Sequence, residues 1–166
     1  MASGKTETGK ALARYLDRPF IDLDVRIARR AGQSIAQLFE HQGEKHFREL
    51  ESRLLRETAG QPRAVVATGG GAPCHRGGMD WINRHGLSVF LDVPTNLLAQ
   101  RLMKAKAERP LLRGIGDRAD LEAYIRQGLA RRLPIYRQAH LRIQATAPPD
   151  AVAREVEQYW MQITGH

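Results

Sequence analysis

The chain carries one cysteine, Cys74, in 166 residues. An internal disulfide is thereby excluded, no thiolate metal site is suggested, and a reducing compartment fits. Aromatic residues are scarce at 6%, and none belongs to an aromatic-rich basic motif of the kind that stacks on nucleic-acid bases. No apolar run approaches the ~18 residues of a membrane span, and no charged-then-apolar leader opens the chain. The expectation is a cytoplasmic protein. Internal repeats and low-complexity tracts are also missing, and no heptad or long apolar patch is readable, so a monomer is expected.

Acidic charge is in deficit: 18 Asp+Glu stand against 26 Lys+Arg, for a formal net charge of +8. Nucleic acid must therefore be considered as a partner. The basic residues are scattered, however, and Arg29-Arg30 and Arg131-Arg132 are pairs, not a stripe. A positive field equally steers small anions such as nucleotides and carboxylates. The partners expected are small-molecule substrates, with neither nucleic acid nor membrane.

What is present describes an ordinary globular protein, 42% hydrophobic and 27% charged. The length suits one α/β domain over residues 1–166. Short apolar runs at 20–23, 64–68, 87–93 and 141–145 read as strands. Between them, helices are readable at 6–16, 34–41, 44–57, 95–104, 121–132 and 151–161, with Ser34 and Thr95 as N-caps. Strands alternating with helices predict a parallel sheet covered on both faces. Residues 106–120, with Arg109-Pro110, Gly114 and Gly116, read as a long lid loop.

One absence lies in a motif. Met1-Ala2-Ser3-Gly4-Lys5-Thr6 reads as the second half of a phosphate-binding P-loop, G-x-x-x-x-G-K-[ST]. In the complete loop, backbone N–H groups cradle phosphate, the lysine reaches the β/γ-phosphates and the hydroxyl holds Mg²⁺. The first glycine would fall ahead of Met1, and so would the strand that feeds such a loop. That strand sits inside the sheet in P-loop architectures, and its loss would leave hydrogen-bonding edges within the core. The expectation is that the natural chain extends upstream, with Met1 internal to the loop. A Gly-Lys-Thr triplet is also compatible with a simple helix start. Gly9 in the first turns of the following helix costs about 1 kcal/mol against Ala, which points to close backbone packing there.

Three further groups carry chemistry. Asp22-Leu23-Asp24 closes a strand-like run, and side chains two apart on a strand share a face. One carboxylate can organise Mg²⁺ through water while the other takes a proton from a substrate hydroxyl. A solvated strand end with an N-cap is the structural alternative. Gly69-Gly70-Gly71 follows the run at 64–68, where a turn lets a ligand approach the backbone, or is merely flexible. Arg48 and Arg132 are suited to grip a carboxylate, and Arg109 within the lid could close over transferring phosphate, although any single arginine here is also a candidate surface charge.

The ordered set formed by the GKT fragment, Asp22-x-Asp24, Phe47-Arg48, Gly69-Gly70-Gly71, Arg109-Pro110-Leu111-Leu112 and Arg132-x-Pro134-x-Tyr136 resembles the shikimate kinase family over essentially the whole chain. The resemblance implies a three-layer P-loop kinase fold, with a normally five-stranded parallel sheet whose central strand is missing here. It implies transfer of the γ-phosphoryl of ATP to the 3-hydroxyl of shikimate, a step toward chorismate and the aromatic amino acids. By the same resemblance, Ala2, Ser3, Gly4, Lys5, Thr6, Glu7, Arg101 and Arg109 would bind ATP, with the Ala147-Pro148 turn near the adenine edge. Thr6, and Asp22 through water, would hold Mg²⁺. Asp24 would bind the acceptor hydroxyls and act as base. Arg48 and Arg132 would clamp the carboxylate, Gly69, Gly70 and Gly71 would line the acceptor, and the helical region at 25–58 would carry much of its site. Two other readings stay open: another small-molecule P-loop kinase, for example gluconate-type, or a kinase-like remnant with impaired catalysis.

Overall fold

The computed structural model describes residues 2–61, 63–104 and 118–165. Four short strands rich in β-branched and aromatic residues occupy the expected runs: β1 (Phe20–Asp22), β2 (Val65–Ala67), β3 (Val89–Asp92) and β4 (Leu141–Gln144). Seven helices connect and follow them: α1 (Lys5–Tyr15), α2 (Leu23–Ala31), α3 (Ile35–Glu57), α4 (Gly78–His85), α5 (Thr95–Lys104), α6 (Arg118–Tyr136) and α7 (Pro149–Thr164). The expected break between two helices at 41–44 is a kink inside α3, at Gly43 (φ 76°, ψ 170°). Ser34 caps α3 in a capping box with Gln37. Helices α2 and α4 escaped the sequence reading because each is short and begins directly on a strand end or a glycine turn.

All strand pairing is parallel, as helical crossovers require. Phe20 lies opposite Val65 and Asp22 opposite Ala67, while Val89 lies opposite Leu141 and Asp92 opposite Gln144. The four strands nevertheless do not make one sheet. Among the described residues they form two separate pairs, β1 with β2 and β3 with β4. Between the pairs runs a cavity of about 820 Å³, lined by β2 at Val65 and Val66, by β3 at Phe90 and Leu91, and by Leu12 of α1. Neither β2 nor β3 has a strand partner on its other edge among the described residues, and the gap between them is where the expected central strand would lie.

Each half-sheet has its own core. Beside β1 and β2, Leu23, Ile27, Leu38, Phe47 and Leu54 pack together beneath α2 and α3. Beside β3 and β4, Leu98, Leu102, Ile125, Ile143 and Val152 join α5, α6 and α7. Full burial of one such side chain contributes about 1.5–3 kcal/mol. Gly9 has the close contact expected of it: a Cβ there would come within 2.7 Å of the Phe20 ring. Among the described residues no helix is long and apolar enough to cross a membrane.

Candidate active site

The chemistry-bearing residues gather at the carboxyl ends of β1 and β2, beside the start of α1. Gly4 caps α1 in the left-handed region at φ +86°, a conformation that favours glycine, and no side chain caps the helix. The first-turn N–H groups of α1 therefore have no intrahelical acceptor and can serve an anion. Lys5 Nζ stands 3.4 Å from Asp24 Oδ2, both side chains about one-third exposed at 34% and 36%. Thr6 Oγ1 donates to Asp22 Oδ2 at 2.8 Å. Consecutive residues of the loop helix are thus matched to the two carboxylates.

The reason for that match differs from the one expected. Asp24 is not on the strand: β1 ends at Asp22, and Asp24 lies in the first turn of α2. Strand alternation does not align the two acids. Asp22 is an N-cap, its Oδ1 accepting from the amides of Asp24 (3.0 Å) and Val25 (3.3 Å), while its Oδ2 faces Thr6. The structural alternative for Asp22, an N-cap, therefore holds on one oxygen, while the other meets the Thr6 hydroxyl. Oxygen donors from a hydroxyl and a carboxylate suit a hard cation such as Mg²⁺.

Gly69 and Gly71 stand in close contact with charged side chains, and Gly70 in ordinary contact. None of Gly69, Gly70 and Gly71 has positive φ. A Cβ on Gly69 would meet Glu51 Oε1 at 2.7 Å and Asp24 Oδ1 at 2.9 Å, and one on Gly71 would meet Arg48 Cζ at 2.6 Å. On Gly70 it would approach Tyr136 Oη at 3.4 Å and Arg132 Nη1 at 3.5 Å. Arg48, Arg132, Asp24 and Glu51, drawn from α2, α3 and α6, thus converge on one three-residue turn.

Glu51 is a residue the sequence reading missed. It lies on α3 one turn beyond Arg48, is 1% exposed, and accepts from Arg48 Nη1 through Oε2 at 2.6 Å. Arg48 also reaches Glu44 at 3.2 Å. Oε1 of Glu51 is buried without a hydrogen-bond partner in the structure. Burial pushes the Glu51 carboxyl above its ordinary range, Arg48 opposes the shift, and the Asp24 charge adds to it. The i,i+3 spacing from Arg48, flanked by Leu50 and Leu54, was the available signal. Nearby, burial and then the positive charges of Arg48 and Arg132 hold the His75 pKa down. Burial raises that of the Cys74 thiol, so neither group cancels the positive field of the two arginines.

Other expected residues are less engaged. Arg101 Nη1 donates to the Ala2 carbonyl at 3.4 Å, beside the loop at Gly4. Glu7 pairs with Lys10 on the surface at 3.0 Å. Arg109 and most of the expected lid, 106–120, lie outside the described residues.

Comparison with known proteins agrees with this geometry. A family model described as Shikimate kinase matches residues 1–160. A shikimate kinase of Bacteroides fragilis is 48% identical over 140 residues, covering 84% of this chain and 78% of the relative. The crystal structure of shikimate kinase from Bacteroides thetaiotaomicron superposes with a TM-score of 0.88 at 39% identity, covering 100% of this chain and 94% of the other. Shikimate kinase from Acinetobacter baumannii, solved in complex with shikimate, gives a TM-score of 0.87 at 34% identity, covering 98% and 89%. With the family motifs in order along the sequence, and those among the described residues gathered at one cleft, the chain belongs to the shikimate kinase family.

Proposed function

We propose that the chain transfers the γ-phosphoryl group of ATP to the 3-hydroxyl of shikimate, giving shikimate 3-phosphate and ADP. The observation that carries this reading is the convergence on one cleft of a phosphate-end group, a lysine and a hydroxyl each on a carboxylate, and of a pair of arginines. Lys5 with Asp24 and Thr6 with Asp22 stand at the phosphate end, and Arg48 with Arg132 flank the glycine turn. Phosphoryl transfer asks mostly for positioning and charge neutralisation, and this inventory supplies both.

In this reading the first-turn amides of α1 and the Lys5 ammonium hold the β- and γ-phosphates, with Ala2, Ser3, Gly4, Glu7 and Arg101 completing the nucleotide side. Thr6, and Asp22 through water, would hold Mg²⁺, which would offset the charge of the transferring phosphate. The Arg48 and Arg132 guanidinium groups grip the acceptor carboxylate, and Gly69, Gly70 and Gly71 border its ring. Asp24 accepts the proton of the 3-hydroxyl as its oxygen bonds to phosphorus and the bond to the ADP oxygen breaks. Arg109 closes from the lid at 106–120. A single domain over 1–166, monomeric, cytoplasmic and serving small molecules only, completes the proposal.

The test is shikimate-dependent ADP release, run beside Asp24→Asn. The wild-type chain is expected to turn over, and the variant to lose about 10²–10⁴-fold in kcat with its fold intact. Near-normal kcat in the variant would remove Asp24 from the base role.

A further inference from the structure

Tyr136 has no part in the reaction just described, yet it ends the Arg132-x-Pro134-x-Tyr136 segment inside the acceptor site. Its hydroxyl donates to the Gly70 carbonyl at 2.5 Å, joining the last turn of α6 to the turn after β2 across 66 residues of sequence. Its ring leans on Phe90 of β3, with centroids 5.2 Å apart. Burial raises the pKa of the phenol, so the hydroxyl stays protonated and remains a donor at neutral pH.

The last turn of α6 needs such an anchor. Pro134 sits inside the helix and has no N–H to give to the preceding turn, which weakens the backbone ladder at the point where Arg132 and Tyr136 project. These two residues are four apart and share a helix face. Both reach Gly70, at 3.5 Å and 3.4 Å from the position a Cβ would occupy, whereas Arg48 presses against the next residue, Gly71. The Gly70–Gly71 peptide is therefore the spacer between the two arginines. Because that peptide is planar and trans, holding the Gly70 carbonyl also sets the direction of the Gly71 N–H.

We propose that Tyr136 is a positioning residue for the acceptor site: its hydrogen bond to Gly70 ties α6 to the glycine turn and so sets the span between Arg132 and Arg48. A two-arginine grip on a carboxylate depends on that span, because bidentate charge-assisted bonds tolerate little displacement. The inference rests on the reading of Arg48 and Arg132 as a carboxylate clamp. It adds the element that gives the clamp its geometry and its preference for a planar carboxylate.

The experiment compares the wild-type chain with Tyr136→Phe, which keeps the ring on Phe90 and removes only the hydroxyl. Calorimetric titration measures affinity for shikimate, for shikimate carboxamide, in which the carboxylate is neutralised, and for ATP·Mg²⁺. Wild type is expected to prefer the acid to the amide. Tyr136→Phe is expected to bind shikimate about tenfold more weakly, to lose most of its preference over the amide, and to change affinity for ATP less than twofold. Tyr136→His, which returns a ring donor, is expected to recover part of the loss. An unchanged acid-over-amide preference in Tyr136→Phe overturns the proposal. So does an equal loss for shikimate and ATP, or loss of the fold, since the hydroxyl would then serve structure alone. If wild type itself shows no preference for the acid, the clamp reading fails instead.

Discussion

The two halves of the cleft rest on different supports. On the acceptor side, Arg48 is locked between Glu44 and the buried Glu51, on a helix whose Leu54 is fully buried and packs with Leu23 and Ile27. On the nucleotide side, α1 is held from the flank by Asp150 of α7, which pairs with Arg14 at 3.2 Å and with Tyr15, and behind it lies the cavity between the half-sheets. Lys5 is 34% exposed where the Arg48 side chain is 15% exposed. The difference teaches that two walls of one cleft can hold their cations differently. Both walls are packed, Ala11 and Ala13 of α1 being buried, but the acceptor arginine is locked by a buried acid while the phosphate lysine stays more exposed.

The largest way to break this comparison is Arg48→Ala, which attacks the acceptor wall. It removes half of the carboxylate clamp and leaves Glu51 buried without its cation, a loss of about 3–5 kcal/mol in folding stability. Shikimate affinity should fall far more than ATP affinity in equilibrium titrations. Equal losses for both substrates would contradict the division of the cleft into two independently supported sides.

The smaller effect is a pH dependence of the same wall. Glu51 has its pKa raised in the fold above its ordinary value of 4.5, so the native state holds this proton more tightly than the unfolded chain does. Its contribution to stability is full below pH 4.5 and is lost as pH rises through the raised value. Denaturant midpoints between about pH 4 and 7 should therefore slope differently in wild type and in Glu51→Gln, which has no carboxyl to titrate. Parallel curves would show that Glu51 does not titrate in that window.

Much of the fold was legible because local periodicity carries it. The four strands fall within the runs read from the sequence, and Ser34, followed by Gln37, announces its helix. Glycine at position 9 correctly signalled a close neighbour, later seen as Phe20. What failed was reasoning that extends a local rule past the end of its element. Alternation placed Asp22 and Asp24 on one strand face, but the chain turns into α2 between them. Around the three glycines the structure also shows the protein's own Arg48, Glu51, Asp24 and Tyr136, neighbours from distant segments that no local rule announces. Glu51 escaped notice because an acid among leucines on a helix looks the same whether it meets solvent or an arginine.

By itself the sequence determined the chemistry of this protein: a phosphate loop at Gly4-Lys5-Thr6, two acids, two arginines and three glycines in an order specific enough to identify a family. Residue type and spacing suffice for that, because donors, acceptors and charges are properties of single side chains. Only the tertiary structure decided which atoms meet: that Asp22 serves Thr6 with one oxygen and caps α2 with the other, that Tyr136 holds Gly70, and that β2 and β3 face each other across a cavity. Those facts depend on contacts between segments far apart in the chain, whose distances are set by packing and leave no trace in local pattern.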